Sequence, residues 1–318
     1  MSPTDATKMY DAGEARFRRI HRRLHAGHAR CRDDEWLTEP CRGTDGEPVD
    51  RPVVWSRRNG AWRRVSILWV GAAPGNAGGR GDGELGAHGT RIPFGGDIAG
   101  ANLDVLFASI GLSRNDTFIT AALNRLPERG GGEPRVRELV APAGDYASSI
   151  HALHDTMIAA GPRLLVALGN VAVRTVFAAA RLDAEPLRLP TLRRLRRTGI
   201  ERGRARAWPD EEPPAERMLS GWREAWRDAP MPHLLWLTHP SAQNMSPYAG
   251  LDTGFHTRMR AARDALRAAV EQILGREPPN ERPSVPLEGE GVYGLPAWRE
   301  RVGPRHRELD SLWSAKGV

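Results

Sequence analysis

The feature that most constrains the fold is an alternation of short apolar runs with longer helical patterns. Val65-Ser66-Ile67-Leu68-Trp69-Val70 is apolar at neighbouring positions and runs into Gly71 and Pro74, as a buried strand entering a loop does. Residues 117–123 (TFITAAL), 164–168 (LLVAL) and 234–238 (LLWLT) have the same character. Between them apolar residues recur at helical spacing. Ile98, Leu103, Leu106, Phe107 and Ile110 form one face closed by Gly111, and Tyr146, Ile150, Leu153, Met157 and Ile158 form another. Gly169-Asn170 opens a helix carrying Val173, Val176 and Phe177, and a long helix covers 255–274. Strands apolar on both faces and separated by helices predict a three-layer α/β/α fold around a central, mostly parallel four-stranded sheet. In such sheets the working residues gather at the carboxyl ends of the strands.

Segments outside that rhythm define the expected organisation. Residues 1–60 read as a basic N-terminal extension packed on the core. In it Phe17, Ile20 and Leu24 mark one helix face, and Arg16, Arg18, Arg19, Arg22 and Arg23 crowd the rest. The main domain spans 61–274, with an Arg- and Pro-rich insertion at about 181–232, and residues 275–318 form a Pro-, Gly- and charge-rich C-terminal extension. The formal net charge is +7, and lysine occurs only at Lys8 and Lys316. Such arginine wealth either serves phosphate partners, whose oxygens the planar guanidinium grips bidentately, or reflects GC-rich coding. With almost no amine in the body of the chain, Schiff-base catalysis is disfavoured. Two cysteines, Cys31 and Cys41, exclude a disulfide framework. No apolar run suits a membrane span and the N-terminus has no secretory h-region, so the expectation is a cytoplasmic protein with no membrane partner.

Each strand end carries a cluster. The first is Gly71-Ala72-Ala73-Pro74-Gly75-Asn76, with Ile92-Pro93-Phe94-Gly95-Gly96-Asp97 downstream. The second strand runs into Asn124-Arg125-Leu126-Pro127, and the fourth into Thr238-His239-Pro240-Ser241-Ala242-Gln243-Asn244. As an ordered set they resemble the uracil-DNA glycosylase superfamily, especially the bacterial and archaeal families four and five, over about Val65 to Leu274. Gly71-Ala72-Ala73-Pro74-Gly75 is similar to the family's first motif, whose loop borders a flipped base. Pro93-Phe94-Gly95-Gly96-Asp97-Ile98-Ala99-Gly100 resembles its Pro-Phe-x-Gly-x-x-Gly element, in which the Phe stacks on that base. Thr120-Ala121-Ala122-Leu123 resembles family five, with small residues where family four reads the base through Asn. Leu165-Val166-Ala167-Leu168-Gly169 is similar to the family's middle strand, and His239-Pro240-Ser241 followed by Asn244 to its last motif.

The resemblance implies a DNA glycosylase, a nucleoid-associated monomer with DNA as partner. Cleaving an N-glycosidic bond in a duplex requires rotating the nucleotide into a pocket. The reaction then builds positive charge on the sugar and negative charge on the departing base. Asp97 is the expected carboxylate beside the sugar, although an Asp before Ile98 also suits a helix N-cap. His239 would donate a hydrogen bond to the leaving base, and Asn76 would position water, or serve as a turn residue. The base pocket is expected from Ala72, Ala73, Phe94, Ala121 and Asn124. DNA contacts are expected from Gly75, Ser241 and Asn244, from an apolar wedge at Met245 and Tyr248, and from Arg193, Arg194, Arg196 and Arg197 in the insertion. The lysine shortage predicts a monofunctional enzyme that leaves an abasic site.

Two departures accompany the resemblance. Families four and five usually hold a four-cysteine iron–sulfur cluster, whereas this chain has two cysteines and none between Pro142 and Gly161. The expectation is no cofactor, with the N-terminal segment or an altered loop filling that space. The small Ala72, Ala73 and Ala121 also leave room for a base larger than uracil. Three readings therefore remain open: a repair enzyme for uracil-like bases, a defence enzyme removing hypermodified bases from phage DNA, and a non-catalytic binder of damaged or modified DNA.

Overall fold

The computed structural model describes residues 15–17, 19–20, 22–24, 53–54, 57–58, 61–62, 66–73, 94, 98–111, 118–123, 127, 133–182, 187–208, 216–226, 229–241 and 253–275. In chain order the elements are β1 (Val53–Val54), β2 (Arg57–Arg58), β3 (Ala61–Trp62), β4 (Ile67–Gly71), α1 (Ile98–Ser109), β5 (Phe118–Ala121), α2 (Val136–Val140) and α3 (Ser149–Ala160). There follow β6 (Leu164–Leu168), α4 (Gly169–Ala179), α5 (Leu192–Arg197), β7 (Ala205–Arg206), α6 (Glu216–Trp226), β8 (His233–Leu237) and α7 (Thr253–Leu274).

β5, β4, β6 and β8 lie side by side and parallel, which is the expected sheet. It is wider than four strands, because the two-residue β1 and β7 pair antiparallel on its outer edges and make it six-stranded. Strands this short give too little period-two pattern to be read from sequence. β2 and β3 form a separate two-stranded sheet.

Period-two alternation divides the core in two. Ile67, Trp69, Ile119, Leu164, Val166, Leu168, Leu235 and Leu237 pack with Leu103 and Phe107 of α1 and with Met259, Leu266 and Val270 of α7. The intervening Leu68, Val70, Phe118, Leu165, Ala167, Leu234 and Trp236 pack with residues of α3, α4 and α6. Because both faces are covered, the four parallel strands are apolar at every position except Thr120 and His233, and the three-layer expectation holds. α3 starts at Ser148, whose hydroxyl accepts the His151 N–H, and ends at Gly161 with φ 54°. A side chain at Gly161 would collide with the indole of Trp226, which donates to the Ile158 carbonyl.

The insertion is more ordered than its composition implies. Leu195 of α5, then Ile200 and Trp208, are buried in the same core as α4, and Trp208 stacks on Phe177 at 6.3 Å. Met218, Trp222 and Trp226 of α6 join it. Arginine density hides this pattern because the exposed positions dominate the count. Helical residues within 15–24 also enter this core, where Phe17 stacks on Phe118 at 5.2 Å. Arg23 lies 3.9 Å from the Tyr146 ring centroid and 3.3 Å from Asp155, and its carbonyl accepts the Asp145 N–H.

Candidate functional site

Parallel strands bring the ends of β4, β5, β6 and β8 to one edge, so residues far apart in sequence meet there. Gly71 of β4 is in register with Ala121 of β5, and the pairing continues beyond the strands through Ala122 N–H to Gly71 O and Leu123 N–H to Ala72 O. Ala72 is buried, and Ala73 and Ala121 are half-buried. The floor beside the first motif is therefore built from methyl groups and backbone.

Phe94 links this floor to the far strand. Its ring lies so close to Gly71 that a Cβ there would fall 2.7 Å from Cζ and 2.8 Å from Cε2. The same ring is 5.6 Å from the imidazole of His239, with the planes inclined at 36°. Phe94 has φ 56°, a left-handed conformation that bulky side chains rarely adopt, so its surroundings must hold it. The motif's Gly71 is thus explained by the aromatic ring seated on it.

His239 is positioned from three sides. Gly169, at the end of β6, has φ 91°, and a Cβ there would come 3.1 Å from the His239 Cβ. Following it in the chain, the Pro240 carbonyl accepts a 2.8 Å hydrogen bond from the buried Asn102 Nδ2 of α1. The Ser241 N–H donates to His239 Nδ1 at 3.2 Å. A backbone N–H can only donate, so the neutral ring carries its proton on Nε2. The half-buried imidazole is thereby a hydrogen-bond donor through Nε2.

The structure therefore brings together Phe94, His239 and Ser241, with Ala72, Ala73 and Ala121 at the same sheet edge. Asp97, Asn76, Gly75, Asn124, Asn244, Met245 and Tyr248 lie outside the described residues. Arg193, Arg194, Arg196 and Arg197 are exposed on α5, whose Leu195 faces inward, rather than on the strand-end loops.

Two positioning groups escaped the sequence reading. Asn102 is fully buried and ties α1 to the loop after β8. Its signal was a polar residue at i+4 from Ile98 and i−4 from Leu106, on an otherwise apolar stripe. Gly169 was readable as a helix opener, but its contact with His239 joins residues seventy positions apart and leaves no local trace.

The iron–sulfur cluster of related enzymes does not fit the donors available. Two thiols, Cys31 and Cys41, fall short of a four-thiolate set, and both lie outside the described residues. Among the described residues no group of three or more His, Cys, Asp or Glu is placed to hold a metal ion. Next to the cysteine-free stretch from 142 to 161, the helical residues within 15–24 pack directly on the chain. A side chain at Gly144 would meet the carbonyls of Arg23 and Leu24. No helix among the described residues is long and apolar enough to cross a membrane.

None of the curated proteins compared with the chain matches it. The model of the uracil DNA glycosylase superfamily matches residues 60–267, which span the whole parallel sheet and all but the last turns of α7. With strand-end motifs, fold and family model in agreement over most of its length, the chain belongs to the uracil DNA glycosylase superfamily.

Proposed function

We propose that the protein is a monofunctional DNA glycosylase that flips a uracil-like or modified base out of DNA and hydrolyses its N-glycosidic bond. The observation that carries this reading is the seating of Phe94 on Gly71, 5.6 Å from the imidazole of His239, at the sheet edge where the family motifs converge. Phe94 offers a stacking face to the extruded base. Nε2 of His239 donates a hydrogen bond to the base oxygen on which negative charge develops, so the base need not leave as an unsupported anion. Asp97 supplies the carboxylate that stabilises the cationic sugar and orients the attacking water. Water adds to the anomeric carbon as the base departs with the glycosidic electron pair, leaving an abasic site. No lysine occurs between Lys8 and Lys316, which argues against an imine intermediate and strand nicking. The reading includes no cofactor, in keeping with the two-thiol donor set, and a monomer acting on DNA in the cytoplasm.

A second reading, removal of a bulky hypermodified base from phage DNA, is favoured by the small Ala72, Ala73 and Ala121. A substrate screen separates the two. Purified protein is incubated with oligonucleotides containing uracil, hypoxanthine or xanthine, and with phage DNA carrying modified cytosines, and abasic sites are scored. Cleavage lost in Asp97→Ala and His239→Ala with DNA binding retained supports the enzyme. Tight binding of the same DNA with no base released from any substrate would replace it with a non-catalytic binder.

A further inference from the structure

Outside the strand-end constellation, a long basic stretch lies between Leu187 and Trp208, where eight arginines face one acid, Glu201. Because Leu195, Ile200 and Trp208 turn inward, the arginines of this segment are displayed outward. One of them is held unlike a solvated surface side chain. The Arg202 guanidinium lies 4.8 Å from the ring centroid of Trp236 and donates at 2.9 Å to Asn170 Oδ1. Its backbone is pinned as well, through a bridge between Arg202 and Trp236 and a 2.8 Å hydrogen bond from the Gly203 N–H to the Trp236 carbonyl.

Both anchors belong to the catalytic neighbourhood. Asn170 follows Gly169, the glycine packed against His239, and Trp236 of β8 precedes His239 by three residues. Arg202 is thus fixed to two residues that neighbour Gly169 and His239 in the chain. An indole and a neutral amide orient the guanidinium but leave its charge uncompensated, and a planar fork with five N–H donors keeps more to offer. Neighbouring charge has the same sign. Partial burial, and then the fields of Arg196 and Arg258, lower the Arg202 pKa. Gathering like charges disfavours the free protein, and an arriving anion relieves that repulsion.

We propose that Arg202, flanked by Arg196 and Arg258, grips a backbone phosphate of the DNA entering the cleft, a contact supplied by the inserted segment instead of the motif loops. The proposal rests on the glycosylase reading for the identity of the anion. Bidentate Arg–phosphate pairing would set the register of the strand beside the extruded nucleotide without reading its sequence. The insertion then has a function that its arginine count alone left equal to coding bias.

Equilibrium binding to a labelled duplex containing a stable abasic-site analogue, measured at several potassium chloride concentrations, tests the contact without any base being cleaved. Arg202→Gln is expected to weaken binding about tenfold near physiological salt. It should also reduce the slope of log Kd against log salt by about 0.9, the value for one phosphate contact. Arg196→Gln/Arg202→Gln/Arg258→Gln should lose more of both. Arg202→Lys should keep the slope but not the full affinity, because the charge remains and the fork does not. Arg223→Gln, at an exposed position of α6, should change neither, and melting curves should coincide throughout. Wild-type binding with affinity and slope unaltered in Arg202→Gln and in the triple variant overturns the phosphate contact alone. Failure of the wild-type protein to bind this duplex even at low salt overturns the glycosylase reading and the contact with it.

Discussion

Gly71→Ala isolates the steric basis of the site. Gly71 has no left-handed backbone to lose, so alanine introduces no φ strain and slightly restrains the unfolded chain, worth about 0.4–1 kcal/mol in favour of folding. Its methyl group, however, would fall 2.7 and 2.8 Å from two carbons of the Phe94 ring. Carbon atoms rest about 3.5–4.0 Å apart, so the ring must retreat by roughly 1 Å. Overpacking of this kind typically destabilises by about 1–3 kcal/mol, but a half-buried ring relieves much of it by moving. The net change in melting temperature is therefore expected to be small. Catalysis should suffer more. The ring that retreats is the one proposed to stack on the base, and displacements near 1 Å cost on the order of a hundredfold in rate. On whichever oligonucleotide the substrate screen identifies, single-turnover abasic-site formation should fall by about 10–100-fold in Gly71→Ala. In a Phe94→Ala background the same substitution has no ring to displace and should change the rate by less than about twofold. An equal loss in both backgrounds, or a wild-type rate in Gly71→Ala, would refute the claim that the seat of Phe94 sets the catalytic geometry.

Other positions give independent tests. Asn102→Ala strands the buried Pro240 carbonyl that Asn102 Nδ2 now contacts at 2.8 Å, at an expected cost of about 1–3 kcal/mol measured by denaturant titration. The turnover rate should also fall while affinity for the abasic-analogue duplex is unchanged, because the loop holding His239 loosens; an unchanged rate would remove Asn102 as a positioning residue. Phe17→Ala deletes a ring that is 1% exposed and stacked on Phe118, and should destabilise by about 3–5 kcal/mol, whereas a loss below about 1 kcal/mol would mean that the N-terminal helical residues contribute little to the core. Burial lowers the pKa of His154, outweighing the upward effect of its Nδ1–H bond to the Ala179 carbonyl, and His233 is lowered by burial and by Arg163. The unfolded chain therefore takes up protons first, so this stability is complete above the unfolded value of 6.5 and is lost as pH falls below it. The melting temperature should accordingly drop from about pH 8 to about pH 5, with a shallower drop in His154→Gln; an identical slope in the variant would assign the pH dependence elsewhere.

How much of this was legible in the chain depended on the range of each interaction. The four parallel strands and their flanking helices follow from apolar periodicity, because a sheet covered on both faces must be apolar along its strands, as β4 and β6 are throughout and β8 is after His233. The segments that follow β4 at 72–73 and β8 at 238–241 were readable as loops leaving strands, because a strand entering a loop leaves its mark in consecutive residues. Even the arginine surface was visible as composition.

What the sequence by itself determined is thus the local part: where the four parallel strands and their main flanking helices lie, which strand-end loops resemble the family's motifs, and that two thiols fall short of a four-thiolate set. Only the tertiary structure decided how those loops meet. The ring of Phe94 requires a glycine at 71, the first residue of α4 comes against His239, Asn102 holds the next carbonyl, and Trp236 and Asn170 orient one arginine among eight. These contacts bridge strands whose order in space differs from their order in the chain. No periodicity encodes them, because close packing couples residues through shape at distances of a few ångströms whatever their separation in sequence.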